Sequence, residues 1–203
     1  MQQINFYFLT VIVFPVLLFL SAKPVAAHPH VFIAQDTKIV FDEKGLAGFK
    51  IYWAFDEMFS VMIAEDFDKD QNGTLGEQEI ATIKEKAFSY IAPYNYYIHI
   101  KIEGNPFTVK FITDFNATLN KGKLSYEFFI PCHVTAEKNP KNIVLSPYDP
   151  EYYSDIYFPN EKLMPFEKAE AFIIETKIKR DMSTLIYYET VNPLAIFLNF
   201  KLK

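Results

Sequence analysis

With a single cysteine, Cys132, in 203 residues, this chain cannot close a disulfide on itself. An exported protein without disulfides fits a bacterial periplasm better than a eukaryotic secretory route. Glycine occurs only six times, too seldom for the glycine-rich loops that cradle phosphates. No G-x-S-x-G, H-E-x-x-H, G-x-G-x-x-G or Walker sequence occurs, which removes the common hydrolase, zincin and nucleotide-binding signatures. The formal net charge is −5 and no basic run stands out, so nucleic acid is not an expected partner. Internal repeats and low-complexity tracts are also missing.

What is present begins with a leader. An apolar run from Phe6 to Leu20 is followed by a short polar break and then Val25-Ala26-Ala27. A hydrophobic stretch ending in small residues at −3 and −1 reads as a secretory signal peptide over 1–27, cleaved after Ala27. The leader carries no Lys or Arg before the apolar run. Retention as a membrane anchor is the alternative, but the run is short for a full span and Pro15 interrupts it. Residues 28–203 are then one β-rich domain, exported to the periplasm.

Val31 to Phe41 and Leu46 to Phe55 read as two strands joined by the turn Asp42-Glu43-Lys44-Gly45. Tyr96 to Glu103, Phe107 to Ala117 and Leu124 to Thr135 are rich in β-branched and aromatic residues, with Gly104-Asn105-Pro106 and Asn120-Lys121-Gly122 as turns. Asn142 to Leu145 reads as a short strand, and Ala171 to Lys179, Leu185 to Thr190 and Ile196 to Leu202 as closing strands. Between them Ser146 to Pro159 is a loop carrying YDPEYYSDIYF. The expected class is α+β, mainly antiparallel β, with a β-sandwich and an EF-hand helix-loop-helix inserted at 56–91.

That insertion carries the densest chemistry. In DKDQNGTLGEQE, Asp68 stands at loop position 1, Asp70 at 3, Asn72 at 5, Gly73 at 6, Thr74 at 7, Leu75 at 8 and Glu79 at 12. This is the oxygen-ligand spacing of an EF-hand calcium loop, with Thr74 giving its backbone carbonyl. Gly76 at position 9 has no side chain, so a water fills that corner. A register starting at Asp66 puts Gln71 where glycine is needed, and fails. Phe59, Ile63 and Phe67 before the loop, and Ile80, Ile83, Ala87 and Ile91 after it, recur at helical spacing. Asp56 is placed to cap the incoming helix. One EF-hand alone is a poor sensor, so Ca2+ at Asp68, Asp70, Asn72, Thr74 and Glu79 is expected to be structural.

Histidine supplies the other candidates. After cleavage His28 is the new N-terminus, and its amine and imidazole can chelate a metal, with His30 two residues on along the same face. Imidazole suits Zn2+, Ni2+ and Cu2+. The tight amino-terminal copper motif needs a deprotonated amide at the second residue, and Pro29 has none. The rival reading of His28-Pro29-His30 is a polar lead-in to the first strand. His99 is expected on a surface or rim. Cys132 shares a face with Ile130 and Val134 and is expected to be a buried small hydrophobe, with His133 opposite. Asp149, Glu151 and Asp155 crowd a loop with Tyr148, Tyr152 and Tyr153. A proline-fixed turn with Asx-type hydrogen bonds is the preferred reading, ahead of a recognition edge or carboxylate ligands.

Four stretches occur in order: HPHVF at His28–Phe32, WAFDEMFS at Trp53–Ser60, DFDKDQNG at Asp66–Gly73 and YDPEYYSDIYF at Tyr148–Phe158. Together they resemble a bacterial family of exported proteins known as "domain of unknown function one thousand and seven", over nearly the whole of 28–203. The resemblance implies a periplasmic component of an uncharacterised transport system, working beside an inner-membrane metal permease of the nickel/cobalt type, with some pairs linked to zinc. It assigns no catalytic residues. The resulting expectation is a non-enzymatic binding protein that presents zinc, nickel or cobalt to its permease through His28 and His30, braced by calcium. Two rivals stand beside it. One is a structural or interaction module contacting the permease through the tyrosine-rich loop without transition metal. The other is a copper-binding redox protein built on His28, which needs His99 or His133 close by.

Overall fold

The computed structural model describes residues 29–160, 163–187 and 189–203. The expected signal segment and His28 lie outside them. Strand β1 (Val31–Phe41) turns at Asp42–Gly45 into β2 (Gly45–Phe55). Asp42 makes the turn, its Oδ1 accepting from the N–H groups of Lys44 and Gly45 at 2.7 and 3.0 Å. Inward residues alternate along both strands, so Ile39 and Phe41, and Phe49, Ile51 and Trp53, are all buried. Helices α1 (Glu57–Phe67) and α2 (Glu77–Lys86) follow, then a 3-10 segment, Phe88–Tyr97. The remaining strands are β3 (Ile98–Ile102), β4 (Asn105–Phe107), β5 (Thr113–Asn120), β6 (Lys123–Thr135), β7 (Lys141–Pro147), β8 (Ser154–Tyr157), β9 (Phe172–Arg180) and β10 (Leu194–Leu202).

Two five-stranded sheets result, in the orders β5-β6-β2-β1-β8 and β4-β3-β7-β10-β9. All neighbours are antiparallel except β1 and β8. The sheets share one core. Phe41 of the first stacks on Phe172 and meets Phe200 edge-on in the second, at 4.9 and 5.4 Å between ring centres. A polar ladder crosses the core inside the first sheet: Trp53 Nε1 donates to Gln35 Oε1 at 2.8 Å, and Gln35 Nε2 to Thr37 Oγ1 at 3.0 Å. That pairing lets three buried polar side chains sit among hydrocarbon.

The expected α+β class, mainly antiparallel, holds. Several expected elements do not. Phe107 to Ala117 is not one strand: Phe107 ends β4 in the second sheet, and Thr113 begins β5 in the first. The helical stripe expected to reach Ile91 stops at Lys86, and Pro93 lies in the tighter segment that follows. β3 starts at Ile98 rather than Tyr96, because Asn95, Tyr96 and Tyr97 are left-handed, with φ of 54°, 54° and 57°. Asn105 and Pro106, expected in a turn, begin β4. The Ser146–Pro159 loop contains β8. The described residues of the Leu185 to Thr190 stretch form no strand. They make one isolated bridge, Ile186 to Val191.

Candidate metal centre and the tyrosine-lined rim

The helix pair leaves the first sheet where β2 ends. Asp56 caps α1, its Oδ1 accepting from Phe59 N–H at 2.9 Å, while its Oδ2 accepts from Phe32 N–H at 2.7 Å. One carboxylate thus ties the helix start to β1. Phe59 stacks on Phe55 at 4.8 Å, and Ile63 is buried. Ser60 Oγ accepts from Leu124 N–H at 3.1 Å, fastening α1 to β6.

Between the helices the chain folds round its own carboxylates. Asp68, only 7 % exposed, accepts from Asn72 N–H at 3.2 Å and Gly73 N–H at 2.9 Å. Gly73 has φ +79°, which glycine adopts without strain. Asn72 Oδ1 accepts from Thr74 N–H at 2.8 Å. Glu79, in the first turn of α2, reaches back to accept from Lys69 N–H at 2.7 Å and Gly76 N–H at 2.9 Å. Ligand oxygens of Asp68, Asp70 and Glu79 lie within 4.8 Å of one another. Among the described residues no other trio of His, Cys, Asp or Glu converges in this way. The donors are all oxygen, the set a hard divalent cation takes. Gly76, expected to leave a water-filled corner, is also the residue preceding α2.

The histidines are dispersed. His30 is exposed; its backbone N–H donates to Tyr153 O at 2.8 Å, and its ring lies 5.1 Å from that of Tyr153. His133 sits at the opposite end of the first sheet. It has φ +53°, in the β6 bulge opposite the start of β2. The eleven residues of β1 separate it from His30 by roughly 30 Å. Cys132 is half-buried, and burial pushes its thiol up to about 12, so it is a poor ligand at neutral pH.

His99 lies on a rim formed by the β7–β8 loop. Its ring stacks on Tyr148 at 3.7 Å, and its Nε2 is 3.1 Å from Tyr148 O. Burial lowers its pKa to about 4, against the partial compensation of that carbonyl and of Asp149. The neutral ring is the native form. Its folded value lies below the ordinary 6.5, so its contribution is present above pH 6.5 and is lost as pH falls through 4. His99→Phe keeps a ring against Tyr148. It is expected to remove about 3 kcal/mol of acid sensitivity across that window. Urea melts at pH 7 and pH 4 test this, and an unchanged pH slope in the variant would refute it.

Asp149 is 1 % exposed and accepts from Glu151 N–H at 2.9 Å and Ser154 N–H at 3.0 Å. These are the Asx-type bonds expected of this loop. Burial and the neighbouring Asp149 raise the Tyr97 hydroxyl. Tyr152 packs on Tyr187 at 3.7 Å. Asp155 is partly buried, which raises its carboxyl.

Sequence reasoning missed one polar node. Lys101 Nζ bonds Asp181 Oδ2 at 2.9 Å, Ser183 Oγ at 2.9 Å and Thr184 Oγ1 at 2.7 Å. Burial opposes the charge on Asp181, but bonds from Ser183, Thr184 and Lys101 outweigh it and hold the carboxyl well below its usual range. The Asp-x-Ser-Thr spacing was the available signal; the distant lysine left none.

A family described as "Protein of unknown function (DUF1007)" matches residues 13–181. A curated relative, "Uncharacterized 15.5 kDa protein in trpE 3'region" of Spirochaeta aurantia, is 26% identical over 94 residues. That match covers 46% of this chain and 66% of the relative.

Proposed function

The chain belongs to the DUF1007 family of proteins of unknown function, and from that premise we propose that it is an exported, non-enzymatic binding protein of a transition-metal transport system, braced by calcium. The Asp68–Glu79 loop is the EF-hand calcium loop. The observation that carries this is the gathering of Asp68, Asp70 and Glu79 within 4.8 Å on a loop that turns at Gly73. Three carboxylates at that separation repel one another, and a divalent cation converts the repulsion to attraction. A lone loop whose incoming helix α1 is fastened to β1 and β6 suits a fixed ion rather than a sensor that opens.

The transported metal, of the zinc, nickel or cobalt kind, is cargo. His30 is exposed and moored by its backbone to Tyr153, which leaves its imidazole free to act with His28 just ahead of it. The periplasmic protein then hands the ion to a nickel/cobalt-type permease in the inner membrane. The test is a zinc and nickel titration of calcium-loaded protein that begins at His28, beside the same protein carrying an extra N-terminal methionine. Tight binding lost on adding the methionine is expected. Equal, weak binding in both would sink metal delivery and leave a scaffold for the permease.

A further inference from the structure

β9 closes one edge of the second sheet. Its ladder to β10 runs unbroken from Phe172↔Leu202 to Arg180↔Leu194. On the other side, no backbone hydrogen bond joins Ile173–Lys179 to another segment among the described residues. Nine residues is long for an edge left open. The core is also thin there. Ile174, Thr176 and Ile178 point inward yet are only half-buried, whereas Ile196, Leu198 and Phe200 on neighbouring β10 are fully buried. A groove of about 430 Å³ lies alongside, lined by residues 163–166 and by Thr176, Lys177 and Ile178.

The sequence of this strand, FIIETKIKR, is complementary to itself when reversed. Two copies paired antiparallel over their full length meet at Thr176. Glu175 of each then stands opposite Lys177 of the other, and Ile174 opposite Ile178. Ile173 faces the stem of Lys179, and Phe172 faces Arg180. Each pair flanking Thr176 is made twice, as a two-fold axis requires. The nearest registers that keep the inward faces together set Glu175 against Glu175, or Lys177 against Lys177, and like charges directly opposite are unfavourable. Edge lysines ordinarily repel foreign strands. Here they are matched by a glutamate at one register of the chain's own strand.

We propose that the open edge of β9 pairs antiparallel with β9 of a second copy of this chain. The two sheets join into one continuous sheet across a dyad at Thr176, and Ile174 and Ile178 are covered at the junction. The partner is a second copy, because the charge pattern is satisfied by itself.

Sedimentation equilibrium of the processed protein at micromolar concentrations is expected to give a monomer–dimer equilibrium. Glu175→Lys and Lys177→Glu each set like charges opposite at both symmetric positions, and each should weaken the dimer about tenfold or more. The double swap E175K/K177E restores both opposite-charge pairs and should recover the affinity. Both residues are exposed, so the fold is unaffected. Amide exchange gives a second readout: protection along β9 should rise with protein concentration. A monomer throughout, a dimer indifferent to the single swaps, a double swap no tighter than the singles, or exchange independent of concentration would overturn the proposal.

Discussion

Glu79→Gln is expected to erase the calcium-dependent part of the protein's stability while leaving the calcium-free fold nearly intact. An ion present at about a hundred times its dissociation constant stabilises the folded state by about 2.7 kcal/mol. In a domain of this size that raises Tm by about 5–10 °C. Glu79 is the proposed ligand that links α2 to the loop, and its side chain bonds the backbone at both Lys69 and Gly76. Glutamine keeps one acceptor oxygen, so it preserves one of these bonds but loses the charge and bidentate capacity that calcium uses. Without calcium the substitution also relieves repulsion with Asp68 and Asp70. In excess chelator, variant and parent should therefore melt within about 1 kcal/mol of each other. In millimolar calcium only the parent should gain. A parent whose Tm ignores millimolar calcium would refute the ion site, whatever the variant does.

The turn at Asp68–Glu79 was legible because its residues are local: the candidate oxygen donors lie within twelve residues, and Gly73 takes the positive φ that the turn needs. β1 and β2 were legible for a similar reason, since two runs rich in β-branched and aromatic residues flank an Asp-Glu-Lys-Gly turn. The failures share the opposite property. The apolar stretch from Phe107 to Ala117 looks continuous, yet the chain crosses between sheets inside it, and periodicity carries no mark of which sheet a residue joins. Leu185 to Thr190 has a strand's composition, but just before it Asp181, Ser183 and Thr184 gather round Lys101, 80 or more residues away, and the described residues after them make only an isolated bridge. β8 was hidden because its four residues are a strand only through their parallel pairing with Val31–Ala34. The rim was legible only within its own loop. His30, His99 and Tyr187 come from three separate parts of the chain, and only the packed sheets bring them against the loop that holds Asp149.

Asp149→Ala should destabilise the protein by about 3 kcal/mol and loosen that rim selectively. The carboxyl is almost fully buried and accepts two backbone N–H groups, from Glu151 and Ser154. Alanine leaves both donors without their acceptor, and bonds to a charged group contribute about 1.5–3 kcal/mol each. Asparagine is the informative comparison. Its oxygen can serve one donor while its amide opposes the other, so Asp149→Asn should cost about half as much. The damage should spread along a definite path. Ser154 begins β8 and pairs with Val31, and Tyr153 O receives the N–H groups of His30 and Val31. Freeing Ser154 therefore unmoors the start of β1, and with it the histidine proposed to take metal. Urea melts give the magnitude, and amide exchange gives the location. Faster exchange at Val31 to Ala34 with unchanged exchange in β6 and β10 is the expected signature. Uniform acceleration through both sheets would instead make Asp149 a general support of the fold with no special hold on His30.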